Sequence, residues 1–598
     1  MRETIRIGCG AGFWGDSAEG PQQLVDSGEI DYLVLDYLAE ITMSLLARAR
    51  AKDPNAGYAT DFPSVIASLA PQLKQQGIKV VTNAGGVNPQ ACKLSIEEKL
   101  KTLNIDLKVS IVTGDDLLPR IEEFRDTKEM FSGDSMPPKL WSMNAYLGAF
   151  PIAKALDNGA NIVLTGRAVD SAIALGPLIH EFQWKADDYD KLAMGSLVGH
   201  IVECGAQATG GVSTDWEKVS DDWDRMGFPI AICKSNGDFE VTKPKDTGGR
   251  VVPETVAEQL VYEIGDPASY LLPDVICDFR NVSLQQVGEN RVRVTGAKGR
   301  APTPSYKVSA TYQDGFRSSG TMMIGGVDAV KKAEAVAAAI LKRTRRMFEQ
   351  RKLADYLRTD VEVLGSESNW GAHSRARETR EVIMKLSVHH ADKTALEIFG
   401  REFIPPATSM AQGITGFSGG RPSPTPLVRL FSCLVAKSSV HIEVDGSSFE
   451  LPAVNSPSPR GRELEGGGTH FDQTPPLPNP LPQGEREQKQ KVPLIALAYG
   501  RSGDKGDAAN IGILARKPEF VSVLRAQLTA DAVKNYFAHF SPGKVERFEL
   551  PGLHGFNFLL HNILGGGGMA SLRYDPQGKM MAQVLMDFVI EVPEALLI

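Results

Sequence analysis

Asn161-Ile162-Val163-Leu164-Thr165-Gly166-Arg167-Ala168-Val169-Asp170 joins an apolar, strand-like run directly to a glycine, an arginine and a carboxylate. Four earlier stretches share the pattern. Thr4–Cys9 runs into Gly10-Ala11-Gly12-Phe13-Trp14-Gly15-Asp16, and Asp31–Leu35 into Asp36-Tyr37-Leu38-Ala39-Glu40. Ile78–Thr82 runs into Asn83-Ala84-Gly85-Gly86, and Leu107–Val112 into Thr113-Gly114-Asp115-Asp116. Helical patterns follow these clusters, so the rhythm predicts an α/β domain built on a doubly wound, mostly parallel sheet. Crossover connections place all the post-strand loops on one sheet edge, where open α/β folds bind ligands. Gly10, Gly12, Asp36, Asn83, Gly85, Gly86, Asp115 and Arg167 are therefore expected to converge on a substrate.

Working outward, residues 1–230 carry this rhythm, with amphipathic helices expected at Phe62–Gln76 and Ala145–Asn158. From 231 to 453 the pattern becomes α+β: short strands at Asp238–Thr242, Asn290–Thr295 and Tyr306–Tyr312, and helices at Val327–Leu353 and Ala376–His389. Residues 454–491 hold a Gly466-Gly467-Gly468 run, many prolines and charges, and few large apolar side chains. Such a stretch cannot offset its ordering entropy by burial, and it reads as a disordered linker. A proline-rich docking motif is the sharper alternative. Residues 492–598 suit a small α/β sandwich: Leu494–Tyr499 and Ala509–Ala515 as strands about a polar loop, helices over Val521–Phe540, and a strand-like Met580–Val592.

The 598-residue chain is 42% apolar with a net charge of −8. Nucleic-acid binding rests on basic patches and counterion release, so that composition argues against it. Six scattered cysteines without a CxxC pair suit a reducing compartment, and no run approaches the roughly 18 apolar residues of a membrane span. A cytoplasmic protein that binds a small carboxylate or acyl-CoA, and that associates with copies of itself rather than with nucleic acid or membrane, is expected.

Gly10-x-Gly12-x-x-Gly15 with Asp36 formally matches a dinucleotide fingerprint. Phe13, Trp14 and Asp16 intervene before a helix that begins near Pro21, so a Gly-rich loop over another ligand is the preferred reading. Arg167 and the backbone at a helix start could hold a carboxylate or phosphate, with Asp170 a base or an N-terminal cap. If Leu192–Gln207 is a helix, His200 shares a face with Glu203 and with Cys204. The pair could move protons and the thiol could act as a nucleophile, or Cys204 could simply pack as a small apolar residue. His389 and His390 point apart, which argues against a shared metal. Gly413–Gly416 and Gly419-Gly420-Arg421 could line an anion site. Tyr499-Gly500-Arg501-Ser502-Gly503-Asp504-Lys505-Gly506-Asp507 is the densest polar stretch. It reads either as an anion-binding turn using Arg501, Asp504 and Lys505, or as a salt-bridged hairpin loop. Gly565–Gly568 suits a hinge or a close backbone approach. A divalent ion on Asp36, Asp115 and Asp170 is compatible with Mg²⁺ chemistry, although cap and turn roles explain the same residues.

Taken together, Asn83-Ala84-Gly85-Gly86, Asn144-Ala145-Tyr146-Leu147-Gly148-Ala149, Thr165-Gly166-Arg167 with Asp170, His200-x-x-Glu203-Cys204-Gly205 with Gln207 and Thr209-Gly210-Gly211, Thr247-Gly248-Gly249 and Gly400-Arg401-Glu402 resemble the acyclic terpene utilization (AtuA-like) family. Gly500–Asp507 resembles the ferredoxin-fold domain often joined to it. The likeness spans about residues 1–450 and 493–598. It departs at the proline-rich stretch and at Cys233-Lys234, where a more acidic sequence is expected. The resemblance implies catabolism of isoprenoid or branched acids at the acyl-CoA level, and it supplies no mechanism. The residues themselves suit a lyase or hydratase in which Arg167 binds the anion and His200 or Glu203 moves the proton, with Cys204 and Asp170 alongside. The alternatives are an NAD-dependent oxidoreductase and a non-catalytic ligand-binding subunit of a degradative complex.

Overall fold

The computed structural model describes residues 2–416, 419–452 and 488–597. The expected linker lies outside the described residues except for its last four positions.

The first five runs form β1 (Thr4–Cys9), β2 (Tyr32–Leu35), β3 (Lys79–Thr82), β4 (Val109–Thr113) and, after an intervening β5 (Ser142–Ala145), β6 (Ile162–Thr165). They pair in parallel in the order β1-β2-β3-β6-β4 at the centre of an eleven-stranded sheet. The sheet as a whole is mixed rather than mostly parallel. β7 (Ile230–Lys234) and β8 (Phe239–Thr242) add antiparallel beyond β1, followed by Arg291–Thr295 and Ser283–Gly288. Ile442–Val444 adds antiparallel beyond β4.

Parallel crossovers are right-handed, so the direction of each step decides which face its helix covers. The chain steps one way from β1 to β4, and α1 (Glu19–Ser27), α2 (Glu40–Lys52), α3 (Phe62–Gln76) and α4 (Pro89–Thr102) bury Leu24, Met43, Ile66 and Ile96 on one face, against Leu33, Leu35, Val80 and Ile111. It then steps back to β6. On the other face α5 (Phe150–Asp157), α6 (Ala172–Phe182) and α7 (Tyr189–Val202) bury Ile152, Leu175, Leu178, Leu197 and Ile201 against Tyr32, Val34, Val81 and Val163. Period-2 alternation explains the sorting: Tyr32 and Val34 face one layer, Leu33 and Leu35 the other.

The helix expected over Ala145–Asn158 begins only at Phe150, because Ser142–Ala145 is the strand β5 of a second sheet. That sheet is organised by the long strand Ser305–Gly325, which pairs with β5, Glu381–His390 and Thr425–Ala436. Glu381–His390 falls where a helix was expected. Val382, Met384 and Leu386 alternate with Glu381, Ile383 and Lys385, and the alternation buries one face against the helix Ala329–Gln350.

The C-terminal unit is a four-stranded antiparallel sheet in the order Ala498–Lys505, Ala508–Ala515, Gly555–Leu560, Val545–Leu550, with helices Phe520–Gln527 and Ala530–Tyr536. The polar stretch read as a loop is therefore mostly strand, turning only at Gly506-Asp507. The strand expected at Met580–Val592 divides into a short helix, Met581–Leu585, and the strand Val589–Pro593. No helix among the described residues is long and apolar enough to cross a membrane.

Candidate functional site

The carboxyl ends of the parallel strands bring Asp36, Asn83, Asp115, Arg167 and Asp170 to one edge of the sheet. Asp36 is 5% exposed, and its Oδ1 accepts from Asn83 Nδ2 at 2.6 Å and from the Leu38 N–H at 3.2 Å. Asn83 Oδ1 accepts in turn from the Tyr37 N–H at 2.7 Å, so the loops after β2 and β3 hold each other. Burial, followed by the charge of Asp170, pushes the Asp36 carboxyl well above the usual range.

Asp115 follows β4, two strands beyond β3 with β6 between. Its Oδ2 accepts from the Arg167 N–H at 2.8 Å and from Asn144 Nδ2 at 2.9 Å, and burial raises it to about 7. The second sheet thus reaches the site, because β5 carries Asn144. A Cβ on Gly166 would lie 2.3 Å from Asp115 Oδ1, so this close approach demands glycine.

Arg167 is 4% exposed. Its Nη1 donates to Asp170 Oδ1 at 2.5 Å and to the carbonyls of Leu38 and Ala168 at 3.0 Å each, and the guanidinium lies 4.2 Å from the Tyr146 ring centroid. Asp170 makes no cap to α6, whose N-cap is Ser171. The Tyr146 hydroxyl donates to Glu40. Burial alone would raise Glu40, but Lys307 and Arg167 pull it down to about 2.

α7 ends at Val202, short of the helix expected to Gln207, and so delivers His200 and Glu203 while Cys204 falls beyond it. His200 Nε2 is 3.0 Å from the Leu260 carbonyl, which can only accept, so the ring proton sits on Nε2. Nδ1 then faces Glu203 Oε1 at 3.4 Å. Burial lowers His200 to about 4, so the ring is neutral near pH 7. Burial, with Asp170 and Glu263 nearby, raises Glu203 well above its usual value. Cys204 is also raised well above the thiol range, by burial and by the charges of Glu203 and Glu263. Both effects disfavour the thiolate that a nucleophile needs.

The glycines read as ligand-binding pack against protein instead. A Cβ on Gly12 would lie 2.6 Å from the Cys204 backbone, one on Gly10 2.9 Å from Pro21 Cα, one on Gly85 2.6 Å from the Thr165 carbonyl, and one on Gly86 2.5 Å from that of Gly57. The space a dinucleotide pyrophosphate would need above Gly12 is filled by the Cys204 turn. That removes the physical support for the NAD-dependent reading.

The far wall comes from the C-terminal unit. Asn510 Nδ2 donates to the Val261 carbonyl at 2.7 Å, and Asn557 Nδ2 to those of Ile264 and Gly265 at 2.7 and 2.6 Å. Arg501 is spent here, its Nη2 on Gln207 Oε1 at 2.5 Å and its guanidinium 4.7 Å from the Tyr262 ring. The hairpin end presents Asp504 and Lys505. Asp504 is raised to about 7 by burial, then by Glu263 and Glu40. Lys505 Nζ lies 5.4 Å from the Tyr270 ring centroid, and that ring packs on His200 at 5.8 Å. Glu263 and Tyr270 carried no motif; their loop and short strand gain meaning only from the partners they meet.

Asp36, Asp170 and Glu203 each offer an oxygen within 4.8 Å of the others. This is the grouping that could hold a hard cation, with Glu203 in place of the expected Asp115. Like charges so close favour protons on the same oxygens, so ion and proton compete. His389 and His390 lie apart from this cluster: His389 Nε2 contacts the Asp314 carbonyl at 2.7 Å, and His390 Nε2 that of Ala354 at 2.9 Å. The Gly413–Arg421 loop lies partly outside the described residues.

Over residues 5–445 the chain matches the acyclic terpene utilisation family protein AtuA, and over residues 492–591 the AtuA ferredoxin-like domain. No curated protein matches it. The chain belongs to the AtuA family, which implies a catabolic role in acyclic terpene utilisation.

Proposed function

Starting from that membership, we propose that the protein is a lyase or hydratase acting on an isoprenoid or branched carboxylic acid or its acyl-CoA thioester. The observation that carries this reading is the placing of two proton-holding carboxyls, Asp36 and Glu203, beside the Arg167–Asp170 pair. Addition of water to an α,β-unsaturated acyl group needs a base for the water and an acid for the α-carbon. In this reading Asp170, held by Arg167, takes a proton from water as its oxygen bonds to the β-carbon. Glu203 gives its proton to the α-carbon, and exchange with solvent resets both groups. The reverse direction removes water by the same steps. Neutral His200, facing Glu203 through Nδ1, fixes the carboxyl's orientation. Asp36 donates a hydrogen bond to the carbonyl oxygen where negative charge develops.

The test is a screen of the purified chain with branched enoyl- and hydroxyacyl-CoA thioesters and the free acids. Turnover should fall by roughly 10²–10⁴ in Glu203→Gln and in Asp170→Asn. Turnover undiminished in both variants sinks the assignment, and a chain that turns over none of these compounds points to a non-catalytic binding subunit.

A further inference from the structure

Resting on the reading above, we propose that Lys505 of the ferredoxin-like unit is the residue that binds the carboxylate, or the thioester carbonyl, of the ligand in the cleft of the large unit.

Arg167 and Lys505 both act on Asp170 and Glu203, and they are not equivalent. Arg167 is almost fully buried, with Nη1 shared among Asp170 and two carbonyls and its plane covered by Tyr146. Lys505 is exposed, and among the described residues it makes neither a hydrogen bond nor an ion pair. Its contact is the face of Tyr270 at 5.4 Å. It is nonetheless surrounded: the side chains packed around it desolvate it, and against that Tyr270, Glu263, Glu203 and Asp170 hold it above the usual lysine range. A cation inside such a ring that pairs with no member of it leaves all three ammonium donors for an incoming oxygen.

The hairpin that carries Lys505 is firmly seated. A Cβ on Gly503 would sit 2.4 Å from the Tyr262 ring, and one on Gly512 2.3 Å from Val261 Cγ2. The Glu263 N–H donates to Asn510 Oδ1 at 2.9 Å, so the same contact positions Glu263 and the hairpin together. Packing therefore places the backbone that carries Lys505, and its ammonium meets the Tyr270 face and not a salt-bridge partner. That is the arrangement a binding group needs if its charge is to remain available. The neutral acids opposite would donate to the second ligand oxygen, so the cleft suits a monoanion or a polarised carbonyl.

Calorimetric titration of the full chain with 3-methylbut-2-enoate, its CoA thioester and the neutral amide tests the proposal. Lys505→Met should weaken the carboxylate roughly tenfold or more, Lys505→Arg should retain most of the affinity, and the neutral amide should lose clearly less than the carboxylate in Lys505→Met. Unfolding temperatures of both variants should match wild type. Carboxylate affinity unchanged in Lys505→Met overturns the proposal, and so does a wild-type chain that binds neither the acid nor the thioester. Binding with the expected Lys505 dependence but without turnover leaves this proposal standing while removing the lyase or hydratase reading.

Discussion

Arg167 and Asp170 are joined through Nη1 and Oδ1 at 2.5 Å, three residues apart and outside any helix. The pair is a product of the loop after β6; the carbonyls of Leu38 and Ala168 share the same Nη1, while Nε is buried without a hydrogen-bond partner. Removing the arginine would leave Asp170 without its cation, within 4.8 Å of the Asp36 and Glu203 carboxyls. Arg167→Ala is expected to destabilise the protein by about 3 kcal/mol, and Arg167→Lys by less while still losing the shared geometry. Urea unfolding followed by tryptophan fluorescence measures both; an alanine variant as stable as wild type contradicts the role.

Asp115 is raised to about 7, chiefly by burial. The folded state thus holds its proton more tightly than the unfolded chain, so its stabilising contribution is complete below the ordinary carboxyl range and is lost as pH rises to about 7. Asp274, raised to about 6, and Asp504, raised to about 7, act in the same sense. Asp115→Asn should therefore gain stability relative to wild type between pH 4.5 and 7.5, on the order of 1–3 kcal/mol. A difference that is constant with pH would refute the shift.

Burial and the neighbouring Asp170 and Glu263 raise Glu203 well above its usual value, and burial lowers His200 to about 4. If Glu203 is the general acid, kcat/KM falls as pH rises through its elevated pKa, and no limb from His200 appears near neutrality. Glu203→Gln should lower kcat by roughly 10²–10⁴ and flatten the alkaline limb. A limb unaltered in that variant assigns the proton to another group.

A methyl group at Gly12 would meet the Cys204 backbone at 2.6 Å. Gly12→Ala should destabilise by about 1–3 kcal/mol through overpacking and displace Glu203 as well. NAD should leave the wild-type unfolding temperature unchanged; an increase would restore the dinucleotide reading.

Asn557 is fully buried and donates to two carbonyls of the 264–265 segment. Asn557→Ala leaves those acceptors unpaired, at about 2 kcal/mol. The expected readout is faster proteolytic release of the C-terminal unit with its own fold intact, which size and circular dichroism would report.

Much of the central sheet was legible, because buried parallel strands write themselves as short apolar runs ended by small and polar residues. The loop residues Asp36, Asn83, Asp115 and Arg167 followed from that alone. β5 was not legible: Ser142–Ala145 is four residues long and belongs to a sheet whose organising strand lies beyond residue 300. Glu381–His390 misled because Val, Ile, Met and Leu with interspersed charges satisfy helical and strand periods over so short a span. Glu40, Glu263 and Tyr270 enter the cleft through tertiary contacts, and no local pattern announces them. The glycines after β1 and β3 were visible as necessary, but only neighbouring atoms tell whether the space beside a glycine belongs to a ligand or to the chain itself.

The antiparallel strand Ile442–Val444 closes the β4 edge, and Asp445 Oδ1 accepts from the Ile111 N–H across 334 residues of chain at 3.0 Å. A ribosome adding 5–20 residues per second reaches that strand on the order of half a minute after β4 has emerged. For that interval the nascent sheet carries an open, apolar border able to pair with any neighbouring polypeptide. Completion of the sheet thus waits on a late strand, and production hosts with ample chaperone capacity should recover more of the protein in native form.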